Sequence, residues 1–187
     1  MKYAPQNHKS AGDAALGSAA GWRILFNILS GMLQTRRVTL ADTPLITRHR
    51  KAVFAAIRNT PEAILDAMTA KFEPWLKRML REGKYSGWIT CDGDRPVASA
   101  GLMVLDWAPH VLDPEGEHRG YVLNLFVEPE YRGRGLARAL TQECMTESRS
   151  KGIRVIALHA SAAGRPLYEK LGFCAANEML FVAPEGE

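Results

Sequence analysis

The chain has 187 residues, 47% hydrophobic and 24% charged, enough for one domain with a sizeable core and short for two independent ones. Its 24 basic against 20 acidic residues leave a net charge of +4, a small excess for a protein that grips a polynucleotide by its phosphates. Three widely separated cysteines, Cys91, Cys144 and Cys174, argue against a disulfide framework; with five scattered histidines they also argue against a sequence-local zinc site, so no metal is expected.

Residues 1–34 read as an extension, disordered or a peripheral helix, ahead of a single domain at 35–187. Its opening "MKYAPQNHKSAGDAALGSAAG" is small and polar, and "WRILFNILSGML" is apolar but broken by Arg23, Asn27 and Gly31. That run falls well short of the roughly 20 residues of a bilayer span, and Arg23 also interrupts any signal-peptide core. A cytoplasmic protein without a membrane partner is expected; targeting or docking is the alternative role for the extension.

"TRRVTL" (35–40) predicts a first strand, and Asp42-Thr43-Pro44 a capped helix start. Ile46, Arg50, Val53, Phe54 and Ile57 follow at helical spacing. A second helix begins after Thr60-Pro61, with Ile64, Leu65, Met68, Phe72, Trp75, Leu76, Met79 and Leu80 as its apolar stripe. Pro74 makes it two helices in line or one with a kink. "YSGWITCDG" and "RPVASAGLMVLDWA" predict strands joined at Asp92-Gly93-Asp94, "PHVLDPEGEHRG" a loop and "YVLNLFV" (121–127) a strand. A helix from Leu136 to about Ser150, the strand "IRVIALHA", a short helix "RPLYEKL" and a last strand "ANEMLFVA" complete a mixed α/β order.

The stretch "LFVEPEYRGRGLARAL" sets an apolar strand against a glycine-punctuated turn and a helix start. Free N–H groups and the helix dipole favour an anion there, glycine lets the backbone approach it, and Arg132 and Arg134 add charge-assisted hydrogen bonds. The geometry suits a pyrophosphate better than a polynucleotide. Neither GxxxxGK[ST] nor GxGxxG is met.

Followed by "GRPLYEKLGF", this stretch resembles the GNAT superfamily of acyl-CoA-dependent N-acyltransferases, whose [QR]xxGx[GA] motif is met by Arg132, Gly135 and Ala137. The resemblance covers roughly residues 35–184 and implies a mixed, mostly antiparallel sheet with a splayed central strand pair and flanking helices. Acetyl-CoA would lie in the splay, its pantetheine along Leu125, Phe126 and Val127 and its pyrophosphate on Gly133, Arg134, Gly135, Leu136 and Ala137. Ser161 stands where relatives often have a pantetheine-binding asparagine, with capping of the next turn as its plainer role. Tyr168 matches the tyrosine that protonates the leaving thiolate.

The resemblance supplies no base. Relatives often carry one on alternate residues of the strand entering the splay, here Tyr121, Leu123 and Leu125, and Asn124 faces the other way unless a bulge turns it inward. A relay through Tyr121 and water is the favoured route; Asp106, Glu115, Glu117 and His118 are alternatives. Trp107, Pro109, His110 and Val111, with Trp75 and Met79, are candidates for the acceptor mouth. The expected activity is acetyl transfer from acetyl-CoA to a primary amine, a small molecule, in a ternary complex. Transfer to a protein lysine or N-terminus, or a non-catalytic acyl-CoA-binding module, are the alternatives. No nucleic-acid partner is expected, and a homodimer is left open.

Overall fold

The computed structural model describes residues 33–57, 60–176 and 178–182. The expectations for residues 1–32, and for Asn177 and Ala183 in the last strand, fall outside them. Five strands form one sheet in sequence order: β1 (Leu33–Arg37), β2 (Tyr85–Asp92), β3 (Arg95–Asp106), β4 (His118–Val127) and β5 (Ile156–Leu158). The first four run antiparallel to their neighbours; β5 joins β4 in parallel after a helical crossover.

Helices α1 (Thr43–Ile57) and α2 (Glu62–Arg81) cover one face, and α3 (Leu136–Ser150) covers the other. Strand alternation divides the core accordingly. Ile89 packs with Ile46, Phe72 and Leu76 on the α1/α2 side; Trp88, Leu102 and Val122 pack with Leu136, Leu140 and Cys144 on the α3 side.

Several boundaries differ from expectation. Strand β1 begins at Leu33, inside the expected extension, and ends at Arg37, because the next residues enter a 3-10 turn at Leu40–Asp42. Asp42 does not cap α1. Its carboxylate accepts from the Thr39 N–H and hydroxyl, each at 2.8 Å, and from both Nη atoms of Arg36. Those bonds, Arg36 foremost, hold its pKa at about 2.

Pro74 sits within an unbroken α2, whose buried stripe is Leu65, Phe72, Leu76 and Met79, while Ile64 is exposed. Strand β4 starts three residues earlier than expected, because His118 still pairs with Asp106. Residues 178–182 enter no ladder, and Met179, Leu180, Phe181 and Val182 are exposed. Their composition signals strand propensity, but none of them pairs with a described strand. Consequently the β4–β5 pair lies at the edge of the described sheet. A short helix, α4 (Arg165–Glu169), follows β5.

Candidate active site

The β4–β5 ladder is only three pairs long, Gly120 with Ile156, Tyr121 with Ala157 and Val122 with Leu158, and the strands part beyond it. On its other side β4 stays paired with β3 to Val127. Glu128 N–H donates to Val97 O, so the alternation of an antiparallel ladder turns the peptide groups of Val127, and of Leu125 before it, into the opening.

The conditional bulge is present. Ser99 pairs with Phe126 and Gly101 with Leu123, so β4 carries one extra residue there, and Asn124 adopts a left-handed φ of 55°. This reverses the face assigned to Leu125, which packs on the α3 side while Leu123 packs on the α1/α2 side. Asn124 is buried, accepting from Arg50 Nη1 at 2.8 Å and donating to the Tyr85 hydroxyl at 3.3 Å. Arg50 lies over Phe54 and Phe72, with the cation 4.8 and 4.6 Å from their ring centres.

Beyond β4, a 3-10 turn at Pro129–Tyr131 leads to Gly133 and Gly135, with φ of 75° and 80°. Space is open where either would carry a Cβ. Gly135 is the N-cap of α3, without a side-chain cap. Its carbonyl accepts from Ala139, and the N–H groups of residues 133 to 138 have no protein acceptor among the described residues. Six unpaired donors at a helix start fit a pyrophosphate. Arg132 Nε bonds Val127 O at 3.2 Å, while Arg134 bonds Glu130 O at 3.2 Å and lies 4.8 Å from the centre of the Tyr131 ring. Both side chains brace the turn and remain exposed beside the cradle. Leu136 is buried in the α3 core, so only its backbone is available to a ligand.

Tyr168 is 9% exposed and packs edge-on against Phe173. Burial, with Cys144 nearby, raises its pKa, and its hydroxyl has no protein partner among the described residues. It therefore keeps a proton available for a ligand. Ser161 Oγ accepts from Gly164 N–H at 3.1 Å, the capping role.

The hairpin candidates lie elsewhere. Asp106 pairs with His118 at the opposite end of β4, ~13 Å before the point where the strands part. With Trp107, Pro109 and Glu117 they line a surface recess of about 430 Å³. Trp107 stacks under Arg119, 3.9 Å from its cation, and Glu115 and Glu117 are exposed. Trp75 packs on Phe72, and Met79 is buried in the α1/α2 core.

Two contacts were hidden in the sequence. The Tyr121 hydroxyl is hydrogen-bonded to His159 Nδ1 where the β4–β5 ladder ends. The buried His49 bonds Ser99 Oγ at 2.8 Å and stacks on Phe126, with ring centres 4.3 Å apart. These pairs are 38 and 50 residues apart, so no local spacing announces them. The one available signal was that His159 ends a strand facing the splay.

The sequence matches the acetyltransferase (GNAT) family over residues 51–173, more than half of the chain. The chain belongs to the GNAT acetyltransferase family. A GCN5-related N-acetyltransferase of Ralstonia eutropha JMP134 superposes on this GNAT chain with a TM-score of 0.77 at 37% identity, covering 81% of this chain and 98% of that one. A "predicted acetyltransferase" of Clostridium acetobutylicum, solved with acetyl-CoA, shares the fold at a TM-score of 0.72 and 24% identity, covering 81% and 96%. Glucosamine 6-phosphate N-acetyltransferase of Trypanosoma brucei brucei is 40% identical over 79 residues, which are 42% of this chain and 51% of that protein. N-alpha-acetyltransferase 30 of Schizosaccharomyces pombe is 39% identical over 59 residues, 30% and 39% of the two chains. The chain thus spans about half, or less, of these curated relatives. No described helix is long and apolar enough to cross a membrane.

Proposed function

We propose that this GNAT chain transfers an acetyl group from acetyl-CoA to a primary amine of a small molecule, by direct attack in a ternary complex. The observation that carries this reading is the continuity of one open backbone surface. It runs from the free edge of β4 at Leu125 and Val127 to the six unpaired N–H groups at residues 133 to 138. Acetyl-CoA has the matching order of groups, an amide-bearing arm followed by a pyrophosphate, and supplies an activated thioester. Phe126, between these two residues, stacks its ring on His49 and so fixes the strand, leaving its backbone to run beside the arm.

The amine nitrogen attacks the thioester carbon, the carbon–nitrogen bond forms and the carbon–sulfur bond breaks. Val127 N–H polarises the carbonyl. Tyr168 gives its proton to the departing sulfur and regains one from water; burial keeps it protonated until then. The amine proton leaves through Tyr121, half-buried on the α1/α2 side of the splay.

The test is thiol release from acetyl-CoA by the purified chain across a panel of amines, amino acids and peptides, with product masses. Acceptor-dependent thiol and an acetylated small amine support the reading. Acetylated peptide N-termini would move the acceptor to the class named for the fission-yeast relative. Tight acetyl-CoA binding without thiol release would make the chain a binding module.

A further inference from the structure

Resting on the acetyl-transfer reading, we propose that His159 is the terminal proton acceptor of the reaction, taking the amine's proton through the Tyr121 hydroxyl. The two residues meet where the parallel ladder ends: Tyr121 pairs with Ala157, and His159 follows two positions later, on the strand that diverges. Their ring centres are 5.7 Å apart at 63°, and the phenol oxygen is bonded to Nδ1. Tyr121 is half-buried and His159 exposed, so the pair has a sheltered inner end and a wet outer end.

That gradient suits one-way proton export. With His159 protonated on Nε2, Nδ1 accepts from the phenol. As the amine nitrogen bonds to the acyl carbon, its proton passes to the Tyr121 oxygen while the phenolic proton passes to Nδ1. The exposed imidazolium then releases a proton to water, and exchange restores the starting tautomer. The phenol is never left as a free phenolate. Burial above all holds the proton on the Tyr121 phenol; Glu178 on the C-terminal stretch adds to that hold and Arg50 on α1 opposes it. The acids of the β3–β4 hairpin, at the far end of β4, do not compete for this role.

The experiment compares wild type, H159Q, Y121F and the double variant with the acceptor found by product mass, its own ionisation measured separately. Expected are a roughly hundredfold fall in kcat for H159Q at unchanged KM for acetyl-CoA, and loss of the imidazole limb from the pH profile of kcat/KM. The double variant should be no slower than the worse single one. By NMR, the His159 ring resonances should move in Y121F, which removes the phenol bonded to Nδ1. His159 is exposed, so an unchanged melting temperature checks the fold of H159Q. Kinetics within twofold of wild type with the limb retained, or single losses that multiply in the double variant, would overturn the proposal. Absence of thiol release from wild type would instead sink the acetyl-transfer reading, and this one with it.

Discussion

Single side chains at the splay divide by what burial does to their protons. Tyr168 is the sharpest case, because burial raises its pKa and its hydroxyl lacks a protein partner among the described residues. Replacement by phenylalanine keeps the ring, and with it the packing on Phe173, while removing only the donor. We expect Y168F to lose roughly a hundredfold or more in kcat while the Kd for CoA changes less than twofold. Turnover assays paired with calorimetric CoA titration check this, and equal turnover would remove Tyr168 from the chemistry. The sequence could nominate this candidate because "GRPLYEKLGF" is a short local motif. It could not nominate His159 or Arg50. Their roles depend on partners 38 and 74 residues away, and such contacts are set by register and by the bulge at Asn124, which one-dimensional spacing does not report.

At the level of elements, the turn between β4 and α3 separates stability from binding. Gly135 has a left-handed φ of 80°, yet no described residue outside its chain neighbours lies within 4 Å of the place where a Cβ would stand. The variant G135A therefore meets no clash, and its stability cost is that of an alanine held in the left-handed region, about 1–2 kcal/mol. The added methyl would nevertheless stand over the N–H cradle. A rise of about tenfold or more in KM for acetyl-CoA, with kcat little changed, is the expected signature in steady-state kinetics. A variant that melts earlier but keeps its KM would show that the cradle does not hold the donor. The strand–turn–helix order was readable here because glycines and a helix start are local signals. The ends of β1 and β4, by contrast, depended on which residues found partners across the sheet.

For the whole molecule, His49 couples the helical layer to the sheet directly behind the bulge. It belongs to α1, bonds Ser99 in β3 and stacks on Phe126 in β4, and it is 1% exposed. Burial, assisted by Arg48, lowers its pKa from 6.5 to about 4, so the native state holds it neutral. The unfolded chain binds a proton there once the pH drops below 6.5. This contribution to stability is complete above that pH and is lost as the pH falls towards 4, amounting to no more than about 3 kcal/mol. Asp42 works in a lower window, between 3.8 and about 2, and so does not confuse the measurement. Urea unfolding at a series of pH values from 7 to 4.5 should show wild type weakening steadily. H49Q, less stable at pH 7, should lose less over the same range. Parallel slopes for the two proteins would mean that the acid sensitivity arises elsewhere and that His49 ties α1 to the sheet by packing alone.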